Sequence, residues 1–135
     1  MFISDYNSES HRNLIIDEDE NTVWAYLTQP FSDKIFLDCW IANKINAPSH
    51  KDIKENIDQY KNAPPPAPVD VLVEGYVNIS MPREDMFKIL WSTDGETVSI
   101  YMNDSLTAVI NAAERQVFNK FLCVDCAWGK PLNVI

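Results

Sequence analysis

At 135 residues the chain is the size of one domain, and a 46% hydrophobic share with four Trp, five Tyr and six Phe gives it enough apolar surface to offset the entropy of ordering. Its 20 Asp+Glu against 11 Lys+Arg set the formal charge at -9, which disfavours nucleic acid, because phosphate backbones are bound by clustered cations. No stretch approaches the roughly 18 apolar residues of a membrane span, and MFISDYNSESHRN has neither a basic n-region nor an apolar h-region, so no membrane partner and a cytoplasmic location are expected.

Residues 1–20 read as a polar, partly flexible N-terminal segment, with Leu14-Ile15-Ile16 as a short edge strand. The run Asp17-Glu18-Asp19-Glu20 that closes it repels itself and favours a solvated loop. Thr22–Thr28 is rich in β-formers and stops at Gln29-Pro30, where proline removes a ladder donor. Lys34–Asn43 follows at hairpin distance, with Ile35, Leu37, Cys39 and Ile41 on the expected core face and Phe36, Asp38, Trp40 and Ala42 on the other.

Ser49–Lys61 is predicted to be an amphipathic helix, from the cap-like Ser49 with Asp52 three residues on and the spacing of Ile53, Ile57 and Tyr60. Residues 62–70 form a Pro-rich connector, in which Pro64-Pro65-Pro66-Ala67-Pro68 must be extended. Its P-x-x-P reads as a rigid spacer, not a recognition motif, and neither flank is large enough for its own core, so 1–135 is one domain. A strand near Val71–Val77, interrupted or bulged at Gly75, and a polar turn at Met81–Asp85 come next.

From Phe87 the pattern alternates with period two through Trp91, then through Thr97–Met102 and Leu106–Ile110. Asp94-Gly95 and Asn103-Asp104 supply residue types suited to tight hairpin turns. The spacing of Ala113, Val117, Phe118, Phe121 and Leu122 then predicts a helix over Ala112–Leu122. The expected fold class is α+β: a single antiparallel sheet of about five to six strands, ending in a β-meander and packed with two helices.

Chemistry is sparse. Three cysteines without a secretory signal argue for reduced thiols. Cys123-Val124-Asp125-Cys126 has the spacing of a metal or redox pair, but only Cys39, His11 and His50 remain as further soft donors and no second C-x-x-C is present. There is no G-x-S-x-G, and Gly75, Gly95 and Gly129 are too scattered to cradle phosphate. His11 and His50 read as solvated, and Trp24, Trp40 and Trp91 as core. No catalytic residue, no metal ligand set and no cofactor are therefore assigned. A small metal- or thiol-dependent enzyme using Cys123 and Cys126 is the alternative.

Val23-Trp24-Ala25-Tyr26-Leu27, Asp38–Asn43, Pro64–Pro68, Trp91-Ser92-Thr93-Asp94-Gly95 and Trp128-Gly129-Lys130-Pro131, taken in order, resemble a family of small acidic bacterial proteins of uncharacterised function, of immunity type. The family's glycine-tyrosine and glycine-proline pairs are replaced here by Val117-Phe118 and Cys126-Ala127. The resemblance and the charge imply a non-enzymatic, intracellular protein that binds a basic protein partner, most concretely a toxin. Its expected partner-binding residues are Asp17, Glu18, Asp19, Glu20, Glu84, Asp85 and Trp128. A structural or regulatory homo-oligomer, such as a homodimer joined at a sheet edge, is a third expectation.

Overall fold

The computed structural model describes residues 1–60 and 64–132. Strands β1 (Phe2–Asn7), β2 (Arg12–Glu18), β3 (Thr22–Thr28) and β4 (Ile35–Asn43) form one antiparallel sheet in that order. A short helix, α1 (His50–Glu55), and 3-10 turns at Ile57–Tyr60, Val69–Val71 and Glu84–Met86 lead to the second sheet. That sheet runs β5 (Phe87–Trp91), β6 (Thr97–Met102), β7 (Ser105–Asn111), β8 (Gln116–Asn119) and β9 (Lys130–Pro131), with β8 and β9 parallel.

Alternation builds the core between the two sheets. Leu14 and Ile16 of β2 stand opposite Leu27 and Ala25 of β3, and Val98 and Ile100 of β6 opposite Ile110 and Ala108 of β7. These side chains are fully buried and join Val23, Cys39 and Ile41 in one cluster, so the sheets pack face to face.

The single sheet packed with two helices is thereby corrected to two sheets and one short helix. Residues 112–122 do not form a helix. Asn111 Oδ1 accepts from Glu114 N–H and closes a turn, Arg115 takes φ 54°, and the chain returns as β8 with Val117 opposite Ile110. A short apolar run satisfies either period, and pairing with β7 decides it.

The Ser49–Asp52 capping box forms, but α1 ends at Glu55. Ile53 is buried while Ile57 is 59% exposed, so the expected apolar stripe has nothing to pack on beyond one turn. The expected end of that helix, Lys61, and the first connector residues, 62–63, lie outside the described residues. Val71–Val77 is not a strand: Leu72 makes a lone bridge to Leu122, and Gly75 turns the chain at φ 81°. Residues 1–20 form the β1–β2 hairpin, which makes β1 the edge and places Leu14–Ile16 inside the sheet.

A second cluster covers part of the outer face of the first sheet, where Trp40 packs with Ala67, Val71, Leu72 and Leu122. Two fully buried asparagines hold it. Asn43 Oδ1 accepts from Trp40 Nε1–H at 3.1 Å and Ala67 N–H at 2.8 Å, while its Nδ2 donates to Ala67 O at 2.9 Å. Asn119 Nδ2 donates to Trp40 O at 2.8 Å and Ile41 O at 3.0 Å, and its Oδ1 accepts from Phe121 N–H at 2.8 Å. β8 is thus tied to β4, and the two sheets meet along that side.

Away from that tie, the β5–β6 loop docks on the β1–β2 turn. Gly95, at φ 71°, leaves room for Asn7 Oδ1, which a Cβ there would overlap and which accepts from Glu9 and Ser10 N–H. Buried Arg12 spans the layers, with Nε 2.9 Å from Glu96 Oε2 and Nη1 donating to Thr28 O at 3.0 Å. Its guanidinium and that of Arg115 lie 4.7 and 4.6 Å from the centre of the Phe36 ring.

Candidate functional site

The acidic run is partly consumed by the fold. Asp19 shapes the β2–β3 turn, its Oδ1 accepting from Asn21 N–H at 2.7 Å and Thr22 N–H at 2.8 Å, and its Oδ2 accepting from the Thr22 hydroxyl at 3.0 Å. Glu18 pairs with the Met1 ammonium at 3.3 Å and Lys44 Nζ at 3.6 Å. Asp17 and Glu20 remain exposed. Glu84 and Asp85 open the 3-10 turn before β5, where Arg83 Nε lies 3.0 Å from Asp85. Trp128 is half-buried, with Nε1 donating to Pro65 O at 3.3 Å.

The thiols of the C-x-x-C turn to different acceptors, Cys123 toward Asp70 O at 4.0 Å and Cys126 toward Gly129 O at 3.6 Å. Among the described residues no group of three or more His, Cys, Asp or Glu is placed to hold a metal ion.

Strand register reveals a surface that sequence reading missed. Phe2 of β1 stands opposite Asp17 of β2, which stands opposite Trp24 of β3, while Ile15 lies opposite Tyr26 and Tyr26 opposite Asp38 of β4. These side chains share the face turned away from the core. The second cluster covers Trp40 and reaches Trp24, leaving the β1–β2 side open, where Phe2 is 55% and Tyr6 58% exposed. The Tyr26 phenol is held above its ordinary pKa by partial burial first, then by the charges of Asp19, Asp17 and Asp38. Asp17 and Asp38 thus flank an aromatic centre. At one corner, exposed Phe31 stacks on His11 at 4.0 Å, and His11 Nδ1 lies 2.7 Å from the Tyr6 hydroxyl. The available signal was the alternation of Phe2, Ser4 and Tyr6 against Ile3 and Asp5, masked because both faces of β1 carry polar residues.

Two clefts flank the outer cluster. The larger, about 610 Å³, runs between Asn46–Ala47 and residues 69–78, with Glu74 its lone carboxylate. The smaller, about 190 Å³, lies beside Trp24 and Trp128. No helix among the described residues is long and apolar enough to cross a membrane. No family model, no curated protein and no solved structure matches the chain.

Proposed function

We propose that the chain is a small protein-binding protein of immunity type, which neutralises a basic bacterial toxin by covering it with the open face of the β1–β4 sheet. The observation that carries this reading is the placement of Asp17 and Asp38 beside Trp24 and Tyr26 on a face that also presents Phe2 and Tyr6. Aromatic rings beside carboxylates suit Lys and Arg side chains, since the ring face and the anions both attract a cation while the ring supplies apolar area. The net charge of -9 adds steering toward a cationic partner.

The test uses the immobilised protein in lysate of its own host at low salt, followed by calorimetry with the captured partner. A cationic protein is expected to bind, Tyr26→Ala to weaken it about tenfold or more, and Asp17→Asn with Asp38→Asn to slow association and flatten its salt dependence. If no cationic protein is captured, or the variants bind as the parent does, the proposal is wrong.

A further inference from the structure

The smaller cleft gathers two indoles, two cations and one orphaned N–H. Trp24 comes from β3, Arg115 and Gln116 from the turn into β8, Trp128 from the segment before β9, and Lys130 from β9 itself. The Trp24 indole N–H is buried and makes no hydrogen bond. Such a group costs about 1–3 kcal/mol if left unsatisfied, so native proteins rarely keep one without a use.

Neither cation is neutralised among the described residues. In a chain with 20 Asp+Glu against 11 Lys+Arg, Arg115 and Lys130 have no ion-pair partner among the described residues. Arg115 instead rests on the Phe36 ring, 4.6 Å from its centroid, which fixes the guanidinium without occupying its N–H groups. Asp38 lines the same cleft but is exposed and lies outside ion-pair distance of both cations. It opposes a second negative charge on any occupant.

Size narrows the ligand further. At roughly 30 Å³ of liquid volume per water, a cleft of about 190 Å³ replaces about six waters. Drug-sized ligands and cofactors use pockets of about 300–1,000 Å³. One charged group on a compact, flat body that lies against the indoles matches this size.

We infer that this cleft is a binding site for a singly charged carboxylate carried on a small planar apolar group. Arg115 and Lys130 hold the carboxylate, the Trp24 N–H donates to it, and the Trp128 ring packs on the body. The same chemistry is offered by a free aromatic acid and by the C-terminal carboxylate of a peptide ending in phenylalanine. The cleft borders the acidic sheet face and shares Trp24 and Asp38 with it, but its cations Arg115 and Lys130 come from the second sheet, so their substitution tests it separately.

The experiment titrates benzoate and benzamide into the full chain, followed by tryptophan fluorescence, and repeats the titration with Gly-Gly-Phe as the free acid and as the C-terminal amide. Saturable binding of a carboxylate form, at least about tenfold tighter than its amide, is expected. Benzoate binding assigns a free acid, and binding of the peptide acid alone assigns a chain terminus. Arg115→Gln and Lys130→Gln should each weaken binding about tenfold or more with thermal unfolding unchanged. Trp24→Phe, which keeps a ring and removes the orphaned N–H, should weaken binding several-fold. Equal binding of acid and amide, no saturable binding of either acid, or insensitivity to both charge substitutions overturns the proposal.

Discussion

Replacing Asn43 with leucine is expected to destabilise the protein by roughly 3–6 kcal/mol, more than any surface change would. The side chain is fully buried, and its loss leaves Trp40 Nε1–H without its acceptor and Ala67 without partners for its N–H and its carbonyl. Each orphaned group costs about 1–3 kcal/mol, because the apolar cluster around Trp40 gives it no water to turn to. Leucine keeps the branched four-heavy-atom shape of asparagine but is bulkier, so no cavity is left and overpacking adds to the loss. Against a total stability of about 5–15 kcal/mol for a domain of this size, the variant should be close to unfolding. Urea denaturation reads the effect directly, with exposed Asn46→Ala as the control. A loss below about 1 kcal/mol would mean that the connector is not anchored through this amide.

Alkaline pH should loosen the fold through two groups that the core keeps protonated. Burial first, and Asp38 second, push the Cys39 thiol from 9.0 up to about 12. Burial also raises the Tyr76 phenol from 10.0 to about 12, against the opposing effect of its hydrogen bond with the Asn43 backbone. In both cases the folded state holds its proton longer than the unfolded chain, so the unfolded state binds fewer protons as pH rises. Stability is then intact below about pH 9 and falls as pH rises toward 12. At about 1.36 kcal/mol per unit, the thiol alone accounts for about 2 kcal/mol by about pH 10.5, and Tyr76 adds to the loss above pH 10. Unfolding free energies at about pH 8.5 and 10.5 measure the loss, and Cys39→Ala should remove the thiol's share of the slope. A stability that stays flat across this range would show that the thiolate is tolerated where it stands.

Several elements were legible because their signals are local. The hairpin of β3 and β4, the alternation of β5 to β7 and the Ser49–Asp52 cap each depend on a few neighbouring residues. Asn103 and Asp104, at φ 51° and 66°, take the left-handed pair of conformations that a two-residue hairpin turn demands. β8 was hidden because Val117, Phe121 and Leu122 serve two different clusters, and their combined spacing imitates a helix face. The charges of the acidic run were visible in the sequence, but the capture of Glu18 by Lys44 and of Asp19 by its own turn was not. The aromatic face depends on register across three strand pairings, and the smaller cleft on Trp24, Arg115 and Lys130 meeting from distant segments. Neither is encoded within a window of sequence.

Each sheet is built largely from strands adjacent in the chain, whereas the Asn119–Trp40 tie joins residues 79 apart. Short loops close cheaply and early, so the two meanders can form as separate units before either finds the other. Docking of one finished layer on the other is then the late event in folding, and the asparagine ties belong to it. Their loss should therefore appear in the time course of unfolding. Stopped-flow measurements on Asn119→Ala are expected to show faster unfolding with a nearly unchanged refolding rate, and slowed refolding would place the docking before the rate-limiting barrier.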